Sequence, residues 1–187
     1  MATKPVVTKA KKKWFTVLAP EQFKNKEIVD VTAFEPQQLV GRPVEVNVML
    51  LTGSPKDQQR KLIFRITGTQ GEKAVTAPWR YMFVDSFIQR SSRRYKERFV
   101  HVLRMPTKDG KTVEIKWVAF SVKKLHHPVR ADLMDKLTAQ TKDKIGKISV
   151  DELFTPMALD KLSMDVKKEL RIVYPLDKLF VWKLAVI

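Results

Sequence analysis

RFVHVLRMPTKDGKTVEIKWVAFSV, residues 98–122, decides the fold. Two runs of alternating apolar and polar residues flank Thr107-Lys108-Asp109-Gly110, and a period of two marks half-buried strands. The Asp-Gly pair supplies the positive-φ residues of a tight hairpin, so the stretch predicts strands near 98–105 and 111–122. In the second run Val113, Ile115, Trp117 and Ala119 alternate with Glu114, Lys116, Val118 and Phe120. Its later half is therefore apolar on both faces, as in a strand that is central or inside a closed sheet.

Upstream, Val44, Val46, Val48 and Leu50 fall on one face of a predicted strand that the Thr52-Gly53-Ser54-Pro55 cluster turns. A second strand follows with Leu62, Phe64 and Ile66 inward and Lys61, Arg65 and Thr67 outward. Residues 85–95 predict a short helix in which Phe87 and Ile88 pack while Arg90, Arg93 and Arg94 stay outside. Trp14, Phe15, Val17, Leu18 and Phe23 read as anchors of an irregular packed segment around Pro20. Residues 1–13 hold five lysines and no acid, and self-repulsion predicts an extended basic arm.

Downstream of His127-Pro128 the period becomes helical: Val129, Leu133 and Leu137 recur at spacing four, with Gly146 placed as a C-terminal stop. Ser149 and Glu152 have the spacing of a capping box, and Leu159, Leu162, Val166 and Leu170 form one stripe. Tyr174-Pro175 ends that helix, and residues 176–187 read as a strand returning to the sheet. The sum is an α+β chain: a β-barrel-like core of antiparallel-rich strands with flanking helices and a basic N-terminal arm. The arm spans 1–13, and a single domain spans 14–187, with its strand-rich core at 41–125 closed by 176–187 and its helical part at 129–171.

Charge is distributed unevenly. Residues 1–128 carry 25 Lys/Arg against 11 Asp/Glu, a surplus of +14 out of the chain's net +16, whereas residues 129–170 carry eight of each. Like charges repel in a compact state, so such a surplus implies an external polyanion. An apolar content of 44% is enough to bury a core, which excludes a disordered polycation. The chain has no cysteine, which excludes disulfides and thiolate chemistry and is consistent with a reducing, cytoplasmic setting. No apolar run approaches the roughly 20 residues needed to span a bilayer, so no membrane association is expected.

Catalysis and metal binding find little support. Adjacent His126 and His127 cannot jointly chelate one ion from a strand or a helix, and His101, among Val100, Val102 and Leu103, reads as a hydrogen-bonded structural histidine. Gly68-Thr69-Gln70-Gly71 lacks the spacing and lysine of a phosphate loop. No enzyme activity, cofactor or metal is expected.

Nucleic-acid binding is better supported. Arg90, Ser91, Ser92, Arg93, Arg94, Tyr95, Lys96, Glu97 and Arg98 put five cations and an aromatic into nine residues. Guanidinium forks bridge phosphate oxygens, hydroxyls add neutral donors and a tyrosine can stack on an unpaired base. A single charge run is by default a solvated surface. Repetition argues for more: Lys11, Lys12 and Lys13, then Arg60, Lys61 and Arg65, then Lys123, Lys124, His126 and His127 carry the same theme. Pro78-Trp79-Arg80-Tyr81 is read as a loop, with packing favoured for Trp79 and Arg80 added to the candidate contacts.

Specific words in the sequence go beyond composition. Lys13-Trp14-Phe15 with Val17, Ala19-Pro20 and Phe23, then 39–46 (LVGRPVEV), 61–66 (KLIFRI), Thr107-Lys108-Asp109-Gly110, and finally 172–176 (IVYPL) with Phe180-Val181 occur in order. This series resembles the archaeal and eukaryotic small-subunit ribosomal proteins of the S-three-Ae family, or eukaryotic-type S-one. The resemblance implies a barrel-like core with flanking helices on the platform of the small subunit. It implies contacts with rRNA near its 3′ end and with neighbouring ribosomal proteins, and mRNA at the exit is a further candidate partner. The stretch Trp182-Lys183-Leu184-Ala185-Val186-Ile187 is less basic than the family pattern and is read as packing. The length of the chain resembles the archaeal type. The competing readings are a free RNA-binding translation or assembly factor and, in third place, an enzyme acting on nucleic acid.

Overall fold

The computed structural model describes residues 11–93, 95 and 97–187. In chain order the strands are β1 (Lys13–Leu18), β2 (Glu27–Ala33), β3 (Pro43–Asn47), β4 (Arg60–Gln70), β5 (Lys73–Phe83), β6 (Glu97–Pro106), β7 (Thr112–Ser121) and β8 (Lys178–Val186). The helices are α1 (Val48–Thr52), α2 (Asp85–Ser92), α3 (His127–Ile145), α4 (Val150–Leu153) and α5 (Pro156–Leu170). The expected α+β class is observed. Hydrogen-bonded order runs β2-β1-β5-β8-β7-β6, with β3 on β4 and β4 on β5. That path has two ends, so the sheet is not closed and the core is barrel-like only loosely.

The described residues form two compact units, 11–44 with 65–77 and 45–64 with 78–187, and residues 1–10 of the expected basic arm lie outside the described residues. In the first, β1 pairs antiparallel with β2 over Lys13↔Ala33 to Leu18↔Glu27, and parallel with β5 over Thr16↔Lys73 to Leu18↔Val75. Phe15 and Val17 are buried, whereas Trp14 is 68% exposed. The expected irregular segment is thus a strand, and its alternation turns Trp14 away from the core it was expected to anchor.

The second unit is built on the hairpin. β6 and β7 pair from Glu97↔Ser121 to Pro106↔Thr112, and β8 runs antiparallel along the other edge of β7 and along β5 at Arg80↔Ala185 to Met82↔Lys183. β7 is therefore central, and Val118, Ala119, Phe120 and Ser121 in succession are buried, as the double-sided apolar pattern requires. The turn differs from the expected one in having only Gly110 at positive φ (+73°), with Gly110 N–H donating to Thr107 O at 3.0 Å and Thr107 N–H to Lys111 O at 2.9 Å. This is a type I turn closed by a glycine bulge, in which Asp109 keeps ordinary backbone angles. The Asp109 carboxylate instead accepts the Val150 N–H at 2.7 Å, at the start of α4, while Ser149 Oγ accepts the Glu152 N–H at 3.3 Å.

One face of this part of the sheet is covered by helices: α3 lies against β6 and α5 against β8. Leu133 and Leu137 of α3 and Leu159, Leu162, Val166 and Leu170 of α5 are all buried, as their spacing predicts. Gly146 does end α3, with φ of −58° rather than the left-handed conformation. β3 is shorter than predicted because the Asn47 side chain accepts the Met49 N–H at 2.9 Å and caps α1, leaving Leu50 exposed. Trp79 lies within β5, not in a loop. The ladder of β5 with β1 ends at Val75 and that with β8 begins at Arg80, and Pro78, which has no N–H, falls between them.

Replacing Asp109 by Ala strands the Val150 N–H, and the thermal or urea midpoint should fall by the equivalent of about 1 kcal/mol. Asp109→Asn, which keeps an acceptor, should lose less.

Candidate nucleic-acid interface

In the first unit Lys11, Lys12 and Lys13 are exposed at the start of β1, where Lys13 is already a strand residue. The Lys12 ammonium lies 5.4 Å from the centroid of the Phe34 ring, itself 44% exposed. Cations and exposed aromatics thus share this edge, with Trp14 next in line. Arg65 is exposed on β4, as its outward parity predicts.

The second unit brings together two clusters that are separate in sequence. Glu97 opens β6 opposite Ser121, the last residue of β7. Its Oε2 accepts the Leu125 N–H at 2.5 Å, its Oε1 lies 3.8 Å from Arg130, and Ser121 Oγ donates to Lys123 O at 2.6 Å. These bonds pin the 122–126 segment against the open end of the hairpin and leave Arg98, Lys123, Lys124, His126 and His127 exposed beside one another. α2 enters the same end through exposed Arg90 and Arg93. Two candidate contacts, Arg94 and Lys96, lie outside the described residues. Tyr95 is occupied otherwise than as a free stacking ring: it packs on Phe120 at 5.4 Å, with the Lys178 ammonium 5.7 Å from its centroid.

The Arg60-Lys61 pair divides. Lys61 is half-exposed in an ion pair with Glu45 at 2.5 Å, a surface arrangement of little net energy that a phosphate can replace. Arg60 is turned inward. Its Nη2 donates to both carboxylate oxygens of Asp160 at 2.8 and 2.9 Å, its Nη1 lies 3.4 Å from Asp57, and its guanidinium sits 5.2 Å from the Phe83 centroid. With 12% of its side chain exposed, Arg60 ties β4 to α5. Its position beside Lys61 in the sequence gives no sign of a partner one hundred residues away.

Arg80 is exposed on β5. Sequence reasoning missed the cations that stand near it, Lys116 of β7 and Lys183 of β8, because alternation marks each only as outward; cross-strand register is what assembles them.

The chain matches the Ribosomal S3Ae family over residues 3–187. It is 31% identical to the small ribosomal subunit protein eS1 of Picrophilus torridus over 176 residues, 94% of this chain and 84% of that protein. The eS1 of Thermoplasma acidophilum is also 31% identical, over 92% of this chain and 80% of that protein, and that of Methanothrix thermoacetophila is 29% identical over 94% and 83%. The chain belongs to the Ribosomal S3Ae family. It is the S-three-Ae family to which the ordered motifs pointed, and the three relatives are archaeal.

Within this family member His101 is a structural group. Its Nε2 is 2.9 Å from Thr138 Oγ1 of α3, joining sheet and helix. Burial of the ring lowers its pKa from the usual value against the opposing attraction of Asp135. As pH falls below about 6.5, the unfolded chain takes up this proton before the folded one. The stability this histidine contributes is therefore full above that pH and is lost below it. His101→Gln should flatten the dependence of the thermal midpoint on pH between about 7 and 5, measured by circular dichroism.

Proposed function

We propose that the chain is a structural constituent of the small ribosomal subunit, holding small-subunit rRNA through phosphate and shape contacts and so supporting translation in the cytoplasm. Family membership across residues 3–187 carries this reading, with relatives named as small ribosomal subunit proteins. The geometry fits it: Glu97 and Ser121 hold the backbone of the 122–126 segment at the open end of the hairpin, and exposed guanidinium, ammonium and imidazole groups line that end, a surface suited to a phosphate backbone without reading bases. Arg90, Arg93, Arg98, Lys123, Lys124, His126 and His127 form this rim, with Lys11, Lys12, Lys13, Lys61 and Arg65 as further contacts and the basic stretch 1–13 contributing to the same interaction. Arg94 and Lys96 complete the sequence run.

In its finer form the proposal places the chain on the platform, beside the 3′ end of the rRNA and the mRNA exit. The helical stretch 129–170, with equal numbers of acids and bases, meets a neighbouring ribosomal protein. Its charges already serve one another, as in Lys144 with Glu169 at 2.8 Å between α3 and α5, while Met157 and Met164 of α5 are 81% and 61% exposed. Such a surface gains little from counterion release.

A structural constituent stays with small subunits through a high-salt wash and sedimentation, whereas a free translation or assembly factor is released. Arg90→Ala with Arg93→Ala should weaken rRNA binding and reduce the slope of log affinity against log salt by about 1 to 2. An unchanged slope removes this part of the rim from the interface.

A further inference from the structure

The sheet face opposite α3 and α5 carries a pocket of about 320 Å³ lined by Arg80 and Met82 of β5, Glu114 and Lys116 of β7, and Lys183 and Ala185 of β8. Three cations converge there from three strands, and the one carboxylate among these residues is already held, since Arg104 Nε donates to Glu114 at 2.7 Å. Lys116 and Lys183 are direct register partners. Like charges placed opposite one another on neighbouring strands destabilise a sheet, so packing alone gives no reason for them.

Aromatic rings accompany the cations. The register between β7 and β8 shifts between Lys116 and Trp117, so Trp182 is the extra residue of a bulge, the device by which a strand re-aims one side chain. Trp182 Nε1 donates to Asp85 at 3.1 Å and fixes the ring, over which the ammoniums of Lys116 and Lys183 lie at 4.5 and 5.1 Å from the centroid. The Arg80 guanidinium lies 3.9 Å from the centroid of Trp79.

We propose that this pocket binds an unpaired nucleotide of a single-stranded RNA segment, with Arg80, Lys116 and Lys183 taking its phosphates and Trp182 receiving its base. The proposal rests on the RNA-binding reading above and adds a second site, distinct from the rim at the end of the hairpin. The cations favour a polyanion, and a tryptophan ring beside them favours one that carries planar bases over an acidic peptide. A base must be unpaired to reach the ring, so a strand fits and a duplex does not. Lysine side chains are long and mobile enough to leave the ring for phosphate while the base takes their place. The stretch 182–187, expected to serve packing alone, contributes both Trp182 and Lys183.

The test compares the full chain with a variant carrying Lys116→Gln and Lys183→Gln, and with Trp182→Leu, on a labelled short oligouridine and on a blunt RNA duplex of equal phosphate number. Fluorescence anisotropy across a salt series reads both. The lysine variant removes a like-charge pair and should keep its thermal midpoint, so its result stands even where Trp182→Leu unfolds. Single-strand affinity should fall about tenfold or more, with a salt slope smaller by about 1 to 1.5, while duplex affinity stays within about twofold. An equal loss on both RNAs, no loss on either, or displacement of the oligouridine by a polyglutamate peptide as readily as by unlabelled RNA overturns the pocket and leaves the rim intact. Failure of the unaltered chain to bind either RNA overturns the RNA-binding reading itself.

Discussion

The second unit depends on the insertion of β8 between β5 and β7. Until residues 178–186 pair, β5 has no ladder to the β6–β7 hairpin, and α5 has no strand to lie on. The insertion is continued at both ends by Asp177 N–H to Phe120 O at 3.1 Å and Ile187 N–H to Thr112 O at 3.0 Å, and it buries Leu179, Val181 and Leu184. Such pairing closes a long loop, because the whole helical stretch intervenes between β7 and β8. The hairpin needs only local contacts, so loop-closure entropy favours its formation first, as the template on which β8 completes the sheet.

The same strand order explains why β7 has two characters. Towards Ser121 both of its faces are covered, and Phe120 joins an aromatic cluster with Phe83, Phe87 and Phe180, with ring centroids 5.2 to 6.4 Å apart. Towards Thr112 that cover ends, and Glu114 and Lys116 take the outward positions. Cations follow a similar division. Where a carboxylate is at hand they are internal fasteners, as with Arg60 on Asp160 or Lys144 on Glu169. Across the rim and the open face they stand in excess of acids, and a ligand of opposite charge relieves their mutual repulsion most fully.

Legibility in the sequence followed how local each determinant is. The hairpin, the stripe of α5 and the return of β8 were readable because turn chemistry and periodicity sit within a dozen residues of each other. β2 escaped notice since only Ala33 among its seven residues is buried, which leaves alternation without a hydrophobic signal. β5 was hidden by Pro78, a residue that reads as a breaker until the gap between its two ladders is known. The site divides in the same way. Lys123 to His127 could be found as a run, whereas the inward turn of Arg60 required a partner from α5, and the meeting of Arg80, Lys116 and Lys183 required the register of three strands.

That register also explains how the open face tolerates its charges. Were β8 regular, the residue after Val181 would take the next place in the ladder opposite β7; the bulge instead spares Trp182 from pairing and sets Lys183 across from Lys116. The ring then lies under both ammoniums and offers them the negative potential of its face, a partial substitute for a counter-charge. It is a weaker partner than a carboxylate and, unlike one, leaves the cations their full charge. A face built with acids in those places would be more stable and would repel a phosphate backbone. Keeping two lysines opposite each other, over an aromatic ring held by Asp85, gives up some sheet stability for a surface that remains available to an anion.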